Sequence, residues 1–243
     1  MSGLAARDRL IVALDVPDPQ SARALVKRLG GAVTFYKVGL ELVMAGGLEL
    51  VRELAGEGKQ VFLDMKLLDI GNTVERATRT AAQTGATFLT VHGVDRKTLE
   101  AAAAGKAGTG LRILAVTVLT SLDAQDLAEQ GITSSPEDLV LRRARLAEAA
   151  GCDGIVASGQ EAARVRAALR HDMAIVTPGI RLPTDDAGDQ TRITTPQTAI
   201  AAGADYLVVG RPITAATDPT GAAEVFVQSI GEALALRALG PQG

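Results

Sequence analysis

Residues 61–74 set two carboxylates around a lysine: Asp64, Lys66 and Asp69 follow the apolar run Val61-Phe62-Leu63 in an Asp-x-Lys-x-x-Asp array. Alternation along an extended strand sends Asp64 and Lys66 to the same side. A lysine fixed between carboxylates suits a group that must stabilise a carbanion and then protonate it. On an open surface the same residues would be no more than an exposed ion pair. Here they stand at the end of a buried strand, where an α/β barrel carries its chemistry.

A second lysine, Lys37 in Phe35-Tyr36-Lys37-Val38-Gly39, interrupts another apolar strand, where an ammonium is costly to bury unless paired. With Asp15 at the end of the first strand, a network Lys37–Asp64–Lys66–Asp69 lets each charge offset its neighbour's desolvation. The polar residues at the strands' C-terminal ends are then Asp15, Lys37, Asp64, Lys66, Thr120, Arg181 and Arg211. Val209-Gly210-Arg211-Pro212-Ile213 ends the last strand in glycine and arginine before a helical turn. Gly-Arg also suits an ordinary turn. Its place after strand eight, opposite Pro178-Gly179-Ile180-Arg181, favours phosphate, held by backbone amides and a helix N-terminus. The polar loop 178–190 that follows strand seven has the composition of a lid.

The elements that must position these groups are short β-branched runs alternating with alanine-rich helical stretches. Strands are expected over residues 10–15, 34–38, 60–66, 88–92, 112–117, 154–157, 174–177 and 206–210. Helices are expected over 19–29, 40–57, 72–83, 96–104, 136–150, 161–170, 196–202 and 221–238. Continuous apolar strands such as Leu10-Ile11-Val12-Ala13-Leu14 fit a parallel sheet covered on both faces. Strand and helix alternate throughout, so the expected fold is α/β, a single (β/α)8 barrel over residues 1–243. An open doubly wound sheet could use the same parts. It usually carries a glycine-rich loop after strand one, where this chain has Leu14-Asp15-Val16-Pro17.

The chain of 243 residues is 47% hydrophobic, enough for one sizeable core. A net charge of −3 with mixed signs provides no basic face for nucleic acid, and 2% aromatic content without tryptophan provides no stacking platform. The single cysteine, Cys152, excludes an internal disulfide and fits a reducing cytoplasm. No segment approaches the roughly 20 apolar residues of a membrane span, and residues 1–8 have no signal-peptide core. His92 and His171 are too few for a metal set; His92 ends the fourth strand and could border the mouth, and His171 lies in a polar turn.

These residues together resemble one known family. The chain is similar over essentially its full length to the orotidine 5′-phosphate decarboxylases, through Asp-x-Lys-x-x-Asp-Ile-x-Asn-Thr at 64–73, Leu-x-Val-Ala-Leu-Asp ending at Asp15, and Tyr36-Lys37-Val38-Gly39. Val118-Leu119-Thr120-Ser121, Thr177-Pro178-Gly179-Ile180-Arg181, Gly188-Asp189-Gln190 and Val209-Gly210-Arg211-Pro212-Ile213 complete the resemblance. It implies a homodimeric barrel that removes carbon dioxide from orotidine 5′-monophosphate in UMP synthesis, without metal or organic cofactor. Lys66 would be the catalytic acid within a charged array of Lys37, Asp64 and Lys66. Asp69, with Ile70 and Thr73, would reach the neighbouring subunit's site. Asp15 and Lys37 would bind ribose, Thr120 the pyrimidine, and Arg181, Gln190, Gly210 and Arg211 the phosphate end and closing loop, with Pro178 also among the substrate-binding residues. Leu68 and Gly71 stand where members often carry His and Pro, a difference that bears on local stiffness before Asp69 rather than on charge.

Two other functions use the same barrel. Magnesium-dependent sugar-phosphate decarboxylases and aldolases are related, but resemble sites with a carboxylate where this chain has the cation Lys37. A noncatalytic nucleotide-phosphate-binding barrel would have little use for so costly a charge cluster.

Overall fold

Apolar runs rich in Val, Ile, Leu and Phe form parallel strands β1 (Leu10–Ala13), β2 (Phe35–Gly39), β3 (Gln60–Leu67), β4 (Phe88–His92), β5 (Arg112–Val116), β6 (Gly154–Val156), β7 (Ala174–Thr177) and β8 (Tyr206–Val209). The structure, a computed structural model, describes residues 4–183 and 194–239. Each strand pairs with the next, and Leu10, Ile11 and Val12 of β1 pair with Leu207, Val208 and Val209 of β8, so the sheet closes on itself. Closure excludes the open sheet.

The helices are α1 (Pro19–Leu29), α2 (Leu40–Met44), α3 (Leu48–Gly56), α4 (Gly71–Ala82), α5 (Arg96–Gly105), α6 (Ala124–Glu129), α7 (Pro136–Ala149), α8 (Ala162–Ala168), α9 (Pro196–Ala201), α10 (Arg211–Thr214) and α11 (Pro219–Ala238). Their starts are written locally. Asp18, Ser135, Thr195 and Asp218 each accept a first-turn amide, with proline in that turn. Among the described residues, no helix is long and apolar enough to cross a membrane.

Two of the α-helical segments differ from expectation. The helix expected over 40–57 is broken into α2 and α3, because Gly46 adopts φ +95° and the Gly47 amide donates to the Leu42 carbonyl at 2.7 Å. A Cβ on Gly47 would lie 2.5 Å from that oxygen, so the turn needs glycine there. Helix α6 is absent from the sequence reading; it starts at Asp123, whose carboxylate accepts amides of Gln125 and Asp126 while Asp126 returns a bond to the Asp123 amide.

The core has two layers. Outward strand residues such as Val12, Val38 and Leu63 pack under the helices, and Cys152 is buried among them, its thiol pushed up to about 12 by burial. Inside the barrel, Phe35, Phe62, Phe88 and Tyr206 form the floor, with ring centroids 5.2–6.0 Å apart. Arg112 lies over Phe88, 5.0 Å from its centroid. Two residues beyond three of these rings, strand alternation delivers Lys37, Asp64 and Thr90 to the layer above.

Candidate active site

Above this floor lies a cleft of about 510 Å³ at the C-terminal ends of the strands. Asp15, Lys37, Asp64, Lys66, Thr120, Pro178, Arg181, Gly210 and Arg211 all line it, although they are scattered over two hundred residues of chain. Phe62, Val116 and Val156 provide apolar wall and floor.

Asp64 is the centre of the charge network. Its Oδ2 accepts from Lys66 Nζ at 2.8 Å and lies 3.7 Å from Lys37 Nζ, and its Oδ1 accepts from the Thr90 hydroxyl at 2.8 Å. Burial pushes the Asp64 carboxyl up, but the Lys37 and Lys66 ammonium groups and the bonds from Lys66 and Thr90 outweigh it and hold the group below the usual carboxylate range. Lys37 also donates to Asp15 Oδ1 at 2.9 Å, so this ammonium within a strand is paired on two sides. Gly39 leaves room for that pair: a Cβ there would stand 3.0 Å from Lys37 Nζ.

Strand alternation alone does not account for Lys66. Among the described residues it is the one non-glycine residue at positive φ, +50°. The β3–β4 ladder changes register around it: Leu63 faces Leu89, but Leu67 faces Val91, so four residues along β3 span two along β4. This is a bulge, which re-aims a side chain and leaves ladder groups unpaired. The Lys66 amide donates to Thr90 Oγ1 at 2.9 Å. A lysine in the left-handed region costs on the order of 1–3 kcal/mol, and such strain gathers at functional sites.

Asp69 stands outside this network. It is exposed and accepts the Ile70 amide at 2.6 Å, so one barrel unites three of the four charges expected to act together. Ile70 and Thr73, at the start of α4, are likewise exposed and do not line the cleft. Leu40, Met44, Leu68, Ile70 and Val94 are exposed apolar side chains on the segments that follow β2, β3 and β4. Gln190, and residues 188–189 with it, lie outside the described residues, as does most of the expected lid.

Arg181 is buried at the cleft, its Nη1 donating to the Ile180 carbonyl at 2.8 Å, and its segment is held by Arg181 N to Thr194 O and Thr194 N to Gly179 O. Gly210 precedes α10, and Arg211 opens it. His92 is partly buried outside the cleft lining; burial, then the charges of Lys66 and Arg143, lower its pKa against the opposing pull of Asp64. Among the described residues, no group of three or more His, Cys, Asp or Glu could hold a metal ion. Thr90 is not among the site residues expected from the sequence. The signal available was the repeated spacing Phe35-x-Lys37, Phe62-x-Asp64, Phe88-x-Thr90.

A closed (β/α)8 barrel with a lysine–carboxylate cluster and two arginines in the cleft at its strand ends defines a class, that of barrels with the equipment to act on a small anionic substrate. Residues 8–226 match the model of the "Orotidine 5′-phosphate decarboxylase / HUMPS family", and the chain belongs to that family. It is 56% identical over 233 residues to a Bradyrhizobium sp. protein named orotidine 5′-phosphate decarboxylase, covering 96% of each chain. A protein of the same name from Afipia carboxidovorans is 55% identical over 93% of this chain and 96% of its own. The crystal structure of orotidine 5′-phosphate decarboxylase from Lactobacillus acidophilus superposes with a TM-score of 0.81 at 34% identity, over 91% of this chain and 98% of that one.

Proposed function

We propose that the protein is a carboxy-lyase that converts orotidine 5′-monophosphate to UMP and carbon dioxide in pyrimidine biosynthesis. The observation that carries this reading is the joint engagement of one carboxylate, Asp64, by Lys66 and Lys37 in the barrel cleft. Two ammonium groups around that carboxylate disfavour a divalent cation in the same position, which sets the reading apart from the magnesium-dependent branch. Relatives named orotidine 5′-phosphate decarboxylase across nearly the whole chain support the same conclusion.

In this reading no metal or organic cofactor takes part. The bond from carbon six of the pyrimidine to its carboxylate breaks, carbon dioxide leaves, and the electron pair stays on carbon six. The Lys66 ammonium stabilises that carbanion electrostatically, then transfers a proton to it, and the neutral amine regains its proton from solvent. Asp64 holds Lys66 in place. Asp15 and Lys37 bind the ribose, and Thr120 the pyrimidine. Arg181, Gln190, Gly210 and Arg211 bind the phosphate end, so that binding energy far from the reacting bond assists catalysis, and Pro178 contacts the substrate beside them.

The protein acts as a homodimer in the cytoplasm, with Asp69, Ile70 and Thr73 completing the neighbour's site. Support comes from the outward position of Asp69 and from the exposed apolar residues Leu68 and Ile70 on either side of it. The test is the ultraviolet absorbance of orotidine 5′-monophosphate with purified, chelator-treated protein. Conversion to UMP is expected. A protein inert to this substrate, yet active with magnesium on a ketose phosphate, would overturn the proposal.

A further inference from the structure

Thr90 lies on β4, is fully buried, and touches Lys66 and Asp64 without lining the cleft. The bulge in β3 takes the Lys66 amide out of the ladder, and a buried amide without an acceptor is unfavourable. The Thr90 hydroxyl accepts that amide at 2.9 Å and spends its own proton on Asp64 Oδ1 at 2.8 Å. Asp64 Oδ2 in turn accepts the Lys66 ammonium at 2.8 Å. One hydroxyl thus closes a ring from the Lys66 backbone, through the carboxylate, to the Lys66 side chain. It holds both the strained backbone at φ +50° and the group that aims Nζ.

We propose that Thr90 is a positioning residue for the decarboxylation, fixing the bulge and the Asp64 carboxylate so that Lys66 points at the reacting carbon. The inference rests on Lys66 being the acid. A polar residue is required at this point because the bulge creates a donor and the buried carboxylate presents an acceptor within reach of one atom. A hydroxyl can serve both, and valine, of nearly the same shape, can serve neither.

The test compares Thr90→Val and Thr90→Ser with the wild type by single-turnover rate, kcat, KM and thermal unfolding. Thr90→Val should fold and lose about 10- to 100-fold in single-turnover rate, the range typical of lost supporting bonds and small misplacements, with a much smaller change in KM. Thr90→Ser keeps the hydroxyl and should recover most of the rate. A merely structural threonine would lower the unfolding temperature and leave the rate of the folded enzyme intact. A folded Thr90→Val with wild-type rate, or a Thr90→Ser as slow as Thr90→Val, overturns the inference. If Thr90→Val does not fold, Thr90→Ala is judged by the same comparison with Thr90→Ser. Failure of both to fold while Thr90→Ser folds would assign the hydroxyl to the fold instead, which also overturns it. A wild-type protein inactive on orotidine 5′-monophosphate would sink the underlying function, a result distinct from all of these.

Discussion

Asp64→Asn removes one negative charge from between two ammonium groups and keeps the side chain's shape. At 2.8 Å from Lys66 and 3.7 Å from Lys37, unit charges attract by roughly 6 and 4.5 kcal/mol at an effective dielectric constant of about 20. Much of that attraction offsets desolvation, since the side chains of Asp64 and Lys37 are each only 12% exposed. The amide can still accept from Thr90 but turns donors toward donors, leaving Lys66 without its carboxylate partner and Lys37 with Asp15 alone. Breaking a buried pair in this way costs about 3–5 kcal/mol. For a chain of 243 residues that corresponds to a fall of about 6–20 °C in Tm. The pH dependence is a sharper signature. The folded Asp64 carboxyl is held below its unfolded value, so between the two values the unfolded chain binds more protons and stability rises with pH. The carboxylate's contribution is complete above an unfolded pKa of about 3.9 and is lost as pH falls through the folded value. Guanidinium unfolding followed by far-ultraviolet circular dichroism, which needs no tryptophan, should therefore show a constant gap between wild type and variant near neutrality. That gap should narrow below about pH 4. Adding Lys66→Met to Asp64→Asn should restore part of the loss by removing the orphaned cation. A gap under about 1 kcal/mol at pH 7, against the 3–5 expected, or one that does not narrow in acid, would refute the electrostatic account.

Lys66→Ala should lower the rate of decarboxylation by at least about 10²-fold while calorimetry still detects UMP binding, because the proposed phosphate and ribose contacts lie elsewhere; near-normal turnover would exclude Lys66 as the acid. If Asp69 completes the neighbour's site as proposed, mixing Lys66→Ala with Asp69→Ala should restore activity, since each mixed dimer would carry both lesions in one site and neither in the other. Verified subunit exchange with no recovery would mean that Asp69 serves its own subunit. Gly71→Pro should be tolerated and raise stability by about 0.4–1 kcal/mol in denaturant unfolding. Gly71 is the first residue of α4, Ile70 before it has ψ 136°, and an added Cβ would meet nothing closer than Ala101 Cβ at 3.7 Å. Destabilisation by that change would show that the turn depends on glycine.

Local elements were legible because their determinants are local. The eight apolar runs and most helix positions depend on side-chain period and on residues a turn away; the caps that the structure shows at Asp18, Ser135 and Thr195 act over the same short range. The break in the second helix was also written in the chain, as Gly46-Gly47, but an apolar helical period running through residues 40–57 masked it. The cost of burying Lys37 was likewise readable, because an ammonium inside an apolar strand demands a partner wherever it lies.

Other features depended on strands that meet only after folding. The bulge at Lys66 arises from a register shift between β3 and β4, so alternation along β3 by itself put Lys66 beside Asp64 without the positive φ or the need for Thr90. The four-charge network lost Asp69 for a related reason: three residues past Lys66 the chain has left the strand and turned outward toward α4. By itself, then, the amino-acid sequence determined the α/β rhythm, the chemically competent residues and the demand that Lys37 be paired. Tertiary structure decided that β1 closes on β8, that Arg211 shares a cleft with Lys37, and that the hydroxyl of Thr90 stands behind Lys66. The physical reason is range: side-chain period and capping act over a few residues of chain, whereas strand register and barrel closure are set by hydrogen bonds between segments far apart in sequence.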